Sequence, residues 1–101
     1  MSRPRVVITG LSGLTPLAND IETTWKRLIA GESGLGPITH FDCSAYDSRI
    51  AGEVKGFVPE EVIPAKQARR MDRFTQFAVA AAQMLLKDAD FAINESNAYD
   101  V

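Results

Sequence analysis

The sequence predicts an α/β fold, and three segments carry that prediction. Residues 5–10 form a short apolar run rich in β-branched side chains, which is typical of a strand covered on both faces, as in a parallel sheet. Residues 20–30 place four large apolar side chains on one face at helical spacing. Residues 66–89 repeat apolar side chains at steps of three and four, which predicts a long helix. A buried strand followed by such helices indicates a layered α/β protein.

The first predicted helix, at about residues 20–30, has recognisable ends. Asn19 is a suitable N-cap, and Glu22 follows three residues later in the position of a capping box. Gly31 stands where a left-handed C-terminal cap belongs. The apolar face, which we expect to pack in a core, consists of Ile21, Trp25, Leu28 and Ile29.

The second half of the chain combines a loop-rich stretch with the long helix. Residues 31–64 contain turn-forming residues, with a short strand predicted near 50–54 and one helical turn near 59–63. Within the helix of about 66–89, almost every residue from 77 to 86 is apolar. A helix that is apolar on all sides needs neighbours on all sides, so this pattern indicates a central helix of a larger protein.

Composition excludes several classes of protein. The 101 residues are 46% hydrophobic and 24% charged, which argues against global disorder, and the net charge of −2 argues against a general nucleic-acid binder. The sequence has no apolar run long enough for a membrane span, and the apolar run after the N-terminus is too short for a signal peptide. A single cysteine excludes an internal disulfide, which fits a reducing cytoplasm.

Short motifs throughout the chain occur in the order and spacing of one known family. They occupy residues 6–11, 15–16, 25–28, 30–34, 38–42, 51–54 and 69–78. Taken together, they make the chain resemble the N-terminal part of the β-ketoacyl-[acyl carrier protein] synthases of the condensing enzyme II type. Ser12 and Ala18 depart from this resemblance, because the family usually has glycine at both positions. A non-glycine residue would be strained there if the backbone required a positive φ.

The resemblance implies a thiolase-like layered α/β fold that is incomplete in this chain, with residues 1–101 as part of the family's N-terminal domain. It implies a homodimer that transfers an acyl chain from acyl carrier protein to a cysteine and then condenses it with a malonyl group in fatty-acid elongation. The family's catalytic cysteine and two histidines lie beyond residue 101. We therefore expect no catalytic residue, cofactor or metal site in this chain, and no activity from the chain alone.

Two residues and one loop are weak candidates for chemistry. Cys43 lies three residues from His40, but the surrounding sequence differs from the family's nucleophile motif, so we interpret both as structural or surface residues. His40 also lacks a second ligand cluster for a metal. Gly10 and Gly13 follow the predicted strand without the spacing of a nucleotide-binding loop.

A basic cluster has a physical argument of its own. Lys66, Arg69, Arg70 and Arg73 recur at helical spacing near the start of the long helix, where the macrodipole and mutual repulsion disfavour cations. The resemblance implies that Lys66, Arg69 and Arg70 contact the acidic carrier protein, whereas Arg73 could equally pair internally. The alternative is a solvated basic face, partly neutralised by Glu60, Glu61 and Asp72.

Three other interpretations of the whole chain stay open at this stage. The first is a piece of a polyketide-type ketosynthase or of its partner subunit. The second is a small, non-catalytic module that binds carrier protein through the basic helix, which would require the chain to fold independently. The third is a truncated reading frame without a function of its own.

Overall fold

The computed structural model describes residues 2–101, which combine three α-helices with one small sheet. Residues 2–20 contain no regular secondary structure. The elements that follow are α1 (Ile21–Ile29), β1 (Leu35–Pro37), β2 (Ile50–Gly52), a 3-10 helix (Pro59–Glu61), α2 (Ala65–Ala68) and α3 (Arg73–Asp88). β1 and β2 are antiparallel, with Leu35 opposite Gly52, Gly36 opposite Ala51 and Pro37 opposite Ile50.

The segment 5–10 differs from the strand that the sequence predicts. Its side chains are exposed, with Val6 at 92% and Ile8 at 81%. A strand requires a neighbouring backbone for its N–H and C=O groups, and none of residues 2–101 pairs with this segment. Its end is nevertheless fixed on α3, because the Leu11 amide donates to Asp88 Oδ2 at 2.8 Å.

Helix α1 forms where the sequence predicts a helix, but its N-terminal cap differs from the prediction. Asp20 is the N-cap, and its Oδ1 accepts the Thr23 amide at 2.7 Å, while Asn19 Oδ1 is buried without a partner among the described residues. That hydrogen bond, with weaker help from Lys26 and Arg27, lowers the pKa of Asp20. At the other end, Gly31 has a φ of 78°.

The apolar face of α1 is exposed, contrary to the expected core packing. Trp25, Leu28 and Ile29 are 60%, 54% and 65% exposed. The periodicity correctly places these side chains on one face, but it does not supply an element to cover that face. Ile21, at the start of the face, is half-buried, whereas the described residues leave the other three side chains mainly exposed.

The predicted helix of about 66–89 is divided into α2 and α3. Asp72 separates them with φ −67° and ψ 161°, an extended conformation that interrupts the helical backbone. Apolar spacing continues through this break, so periodicity alone does not reveal it. On α3, Ala80 is buried, whereas Phe74 is 73% exposed, although it belongs to the apolar repeat that predicts this helix.

The described chain buries little of its apolar surface. Its buried hydrophobic residues are Ile63, Ala68 and Ala80. The radius of gyration is 17.6 Å, compared with about 13 Å for a compact domain of this length. The accessible surface of 8401 Å² compares with about 5,600 Å² for a compact monomer of 11.0 kDa. These values are those of an open arrangement of elements, in which most large side chains have no covering layer.

Candidate functional site

The predicted basic cluster lies at the junction between α2 and α3. Lys66 is on α2, Arg69 is the C-cap of α2, and Arg70 belongs to the link that leads to α3. The three side chains, which we call the basic corner, are exposed. Their arrangement differs from the predicted one, because the extended residue Asp72 separates these three cations from Arg73.

No acidic side chain neutralises the basic corner within residues 2–101. The ion pair found in this part of the chain joins His40 Nδ1 to Glu53 Oε2 at 3.5 Å, far along the sequence from the corner. The predicted partial neutralisation by Glu60, Glu61 and Asp72 therefore involves no direct ion pair. Three exposed cations without an ion pair in the described part of the chain form a surface suited to an anionic ligand or protein.

Hydrogen bonds from outside the basic corner hold its backbone. The Ala68 carbonyl, at the end of α2, accepts the Met71 amide at 3.1 Å and Gln76 Nε2 at 2.9 Å. Gln76 Nε2 also lies 3.5 Å from the Met71 carbonyl. Ala68 itself is 1% exposed, so the residue that accepts this contact is buried. Gln76 thus connects α3 to the turn that carries Arg69 and Arg70.

Arg73 does not belong to the basic corner. Its guanidinium carbon lies 5.1 Å from the ring centroid of Phe57 and 5.0 Å from that of Phe77. The two rings are 5.2 Å apart and tilted by 56°. Cation–π attraction of this geometry holds the first turn of α3 against the segment that precedes the 3-10 helix.

Among the described residues, His40 and Cys43 have different partners and do not contact each other through a hydrogen bond. The nearest polar contact of Cys43 Sγ is the Arg49 carbonyl at 4.0 Å. His40 pairs with Glu53, and its side chain is 66% exposed. No group of three His, Cys, Asp or Glu side chains within residues 2–101 is arranged to hold a metal ion.

Glu53 connects two loops through several donors. Its carboxylate accepts the Thr39 amide at 3.2 Å, the Thr39 hydroxyl at 2.9 Å and the His40 amide at 3.3 Å. Burial raises the pKa of Glu53, but the hydrogen bonds from Thr39 and His40 and the charge of His40 outweigh it, so the net pKa is lowered. The arrangement joins the segment that follows β1 to the residue that follows β2.

The loop after residue 10 is shaped by packing. A Cβ at Gly10 would lie 2.7 Å from Ala89 Cβ, so the close approach to α3 accounts for this glycine without a nucleotide. Ser12 donates from Oγ to the Ala81 carbonyl at 2.7 Å. Within the described chain, the non-glycine residue with a positive φ is Asp90, so neither Ser12 nor Ala18 is strained.

One side chain that the sequence does not single out joins three loops. Lys55 Nζ donates to the carbonyls of Pro16, Gly34 and Glu53 at 3.3, 3.2 and 3.2 Å. Gln76 is a second residue that joins segments and that the sequence does not single out. Its Nε2 donates to carbonyls eight and five residues earlier in the chain. No local sequence signal indicates either role, since both depend on how separate segments meet.

Comparison with known proteins identifies the family. The family profile described as Beta-ketoacyl synthase, N-terminal domain matches residues 3–100. The chain belongs to the β-ketoacyl synthase family. This finding confirms the resemblance predicted from the motifs.

Individual relatives agree with this assignment. The chain is 49% identical over 94 residues to the 3-oxoacyl-[acyl-carrier-protein] synthase 2 of Staphylococcus aureus (strain COL), which covers 93% of this chain and 23% of that relative. It is 45% identical over 101 residues to the protein of the same name from Synechocystis sp., covering 100% of this chain and 24% of that relative.

A solved structure of a family member resembles the fold. The structure described as "The ishigamide ketosynthase/chain length factor" matches with a TM-score of 0.77 and 36% sequence identity, covering 90% of this chain and 23% of that one. The chain therefore spans about a quarter of the length of the relatives it matches.

Among residues 2–101, no helix combines the length and apolar character needed to cross a membrane.

Proposed function

We propose that this chain is the N-terminal part of a 3-oxoacyl-[acyl carrier protein] synthase that elongates fatty acids. The observation that carries the proposal is the match of 45–49% identity along nearly the whole chain to relatives named 3-oxoacyl-[acyl-carrier-protein] synthase 2. In the proposed reaction, a cysteine thiolate first takes the acyl group from the carrier-protein thioester, and the carrier-protein thiol leaves. Loss of CO₂ from malonyl carrier protein then generates the carbanion that attacks the acyl-enzyme, which forms the new carbon–carbon bond and releases the cysteine thiolate.

Within such an enzyme, the proposed role of this chain is to receive acyl carrier protein. The basic corner offers Lys66, Arg69 and Arg70 in exposed positions and without ion pairs among residues 2–101. Cations of this kind attract and orient an acidic partner over several ångströms before contact. Arginine also adds paired donors to a carboxylate or phosphate.

The catalytic step itself requires groups outside this chain. Condensation needs an activated thiolate and donors aimed at the developing oxyanion. Cys43 has neither a base nor a helix N-terminus beside it in the described contacts. We therefore propose that the 101 residues are inactive alone and that the complete enzyme is a cytoplasmic homodimer, as the family resemblance implies.

A ketosynthase of the polyketide type is the second candidate. The structural match to a ketosynthase/chain length factor at 36% identity favours it. The higher identity to the two 3-oxoacyl-[acyl-carrier-protein] synthases favours the fatty-acid enzyme. A non-catalytic module that binds carrier protein is a further candidate, and it is distinguished by independent, cooperative folding of the 101 residues.

A chimera tests the proposed function. Residues 1–101 replace the matching first quarter of the S. aureus synthase, and condensation of acyl and malonyl carrier proteins is measured. We expect an active chimera and no condensation by the 101-residue chain alone. An inactive but folded chimera would contradict the proposed enzyme, and condensation by the chain alone would contradict the proposed inactivity.

Charge reversal tests the docking role in the same chimera. Changing Lys66, Arg69 and Arg70 to Glu should raise the KM for acyl carrier protein by about tenfold or more, because complementary charges become repulsive. The matched control changes Arg3, Lys26 and Lys87 to Glu, three exposed cations away from the corner with the same total change of charge. Equal effects of the two triple variants would indicate a general charge effect and would contradict docking at the corner.

A further inference from the structure

The shape of the basic corner depends on a side chain that is not part of its surface. Gln76 lies on the first turn of α3, is half-buried, and donates to the Ala68 carbonyl at 2.9 Å. Carbonyls at the end of a helix lack partners within that helix. Ala68 ends α2, so Gln76 supplies a hydrogen-bond donor that this carbonyl does not find within the short helix.

The backbone around this contact carries the two arginines directly. The Arg69 amide donates to the Ala65 carbonyl at 3.1 Å, and the Arg70 amide donates to the Gln67 carbonyl at 3.0 Å. Both are last-turn hydrogen bonds of a four-residue helix, which is too short to be stable on its own. The positions of Arg69 and Arg70 therefore depend on contacts with α3. Gln76 makes the hydrogen bonds that join α3 to the turn that carries both arginines.

We propose that Gln76 is a positioning residue for the docking of acyl carrier protein. It fixes the Ala68–Met71 turn, so that the Arg69 and Arg70 guanidinium groups leave the surface from a pre-ordered backbone. Pre-ordering increases affinity because less conformational entropy is lost on binding. This inference rests on the proposed docking function and adds to it a residue that does not touch the partner.

Arg73 differs from the cations of the basic corner, because it contacts aromatic rings within the chain. Its guanidinium is stacked on Phe57 and Phe77, at 5.1 and 5.0 Å from the ring centroids. This cation is therefore used to hold α3 in place, and it precedes Gln76 by one helical turn. The two side chains fix the start of α3 from two directions, one through aromatic rings and the other through backbone carbonyls.

The test uses the chimera and the variant Gln76→Met, which keeps the length of the side chain and removes its donors. We expect the KM for acyl carrier protein to rise about fivefold, the equivalent of one neutral hydrogen bond. The kcat, and the rate with a short pantetheine thioester that lacks the protein, should stay unchanged. The matched control is Gln83→Met, on the same helix, because Gln83 is exposed and its side chain makes no hydrogen bond within residues 2–101. It should leave every rate constant unchanged.

A double variant shows whether Gln76 acts through the arginines. When Arg69 and Arg70 are already changed to Ala, adding Gln76→Met should cause no further rise in the KM for carrier protein, because coupled residues are not additive. A full additional rise would overturn the positioning role, as would equal loss of activity on the pantetheine thioester. If the charge reversals raise the KM and Gln76→Met does not, the positioning inference fails while the docking function stands. If the charge reversals themselves have no effect, the docking function fails.

Discussion

At the scale of single residues, Glu53 shows how one carboxylate organises a loop. It accepts hydrogen bonds from the amides of both Thr39 and His40, and its side chain is 9% exposed. Its pKa is lower in the folded chain than in the unfolded chain, so the unfolded chain takes up the proton first as the pH falls. The contact therefore contributes stability above the ordinary pKa of glutamate, and this contribution is lost as the pH falls through the folded pKa.

An NMR titration of the carboxyl carbon of Glu53 in the chimera measures this directly. We expect a midpoint below the ordinary glutamate value of 4.5, with the Thr39 amide resonance moving at the same midpoint. In Glu53→Gln, the pH dependence of the Thr39 amide should disappear. The exposed residue Glu22 provides the control, since Glu22→Gln should leave that amide titration unchanged. A Glu53 midpoint above 4.5 would contradict the balance of burial and hydrogen bonding described here.

At the candidate site, the sequence predicts which side chains are exposed, but it does not predict which residues support them. The exposure of Lys66, Arg69 and Arg70 follows from their charge, and the family motif supplies their proposed partner. The contacts of Gln76 and Lys55 do not follow from the sequence, because their partners belong to other segments of the chain. The residues next to a polar side chain in a helix do not indicate which carbonyl that side chain will contact.

At the scale of elements, α1 ends in a complete Schellman motif. The Gly31 amide donates to the Leu28 carbonyl at 3.1 Å, and the Glu32 amide donates to the Arg27 carbonyl at 3.0 Å. Gly31 adopts the required left-handed conformation, and no atom lies within 4 Å of where its Cβ would be. A substitution at this position therefore changes backbone strain without a steric clash.

Gly31→Ala should reduce the hydrogen-exchange protection of the amides at residues 31 and 32 in the chimera. The expected reduction is about fivefold, which corresponds to the ~1 kcal/mol cost of left-handed backbone in a residue with a Cβ. Gly36→Ala is the control, because Gly36 also has open space around its Cβ position but has no positive φ. If both substitutions lower protection at these two amides equally, the strain argument is wrong.

The elements differ in how well the sequence predicts them, and the reason is the range of the interactions they need. α1 is specified locally by Asp20, its apolar periodicity and Gly31, so its bounds lie close to the prediction. Residues 5–10 have strand composition, but a strand exists only when another backbone pairs with it. The break at Asp72 is missed for a different reason, since the apolar spacing continues across it.

At the scale of the whole molecule, exposed apolar surface dominates. Trp25, Phe74 and Val6 are each at least 60% exposed, and the total surface exceeds that of a compact monomer. Apolar patches of this extent usually mark surfaces that another layer covers. The mixture of helices and strands was predictable from the sequence, whereas the exposure of these side chains was not, because it depends on which elements pack against one another.

The isolated 101-residue chain should therefore unfold in a broad, non-cooperative transition and associate with itself. Sedimentation, dye binding to apolar surface and the near-ultraviolet signal of Trp25 measure these properties. Trp25→Ser should reduce association and dye binding more than Tyr99→Ser, because Tyr99 is fully exposed but lies outside the apolar face of α1. A sharp transition of a monomer with a fixed Trp25 signal would show an autonomous domain and favour the non-catalytic module.

The ammonium group of Lys55 has a consequence for how this part of the chain tolerates changes in length. Surface loops usually accept insertions and deletions at little cost, because each loop closes independently. Here the carbonyls of Pro16, Gly34 and Glu53 share one donor group, so the three loops meet at a single point. An added or deleted residue in any one of them would move its carbonyl away from Lys55 and loosen the other two. The lengths of these loops are therefore constrained jointly, as one unit assembled from three distant stretches of sequence.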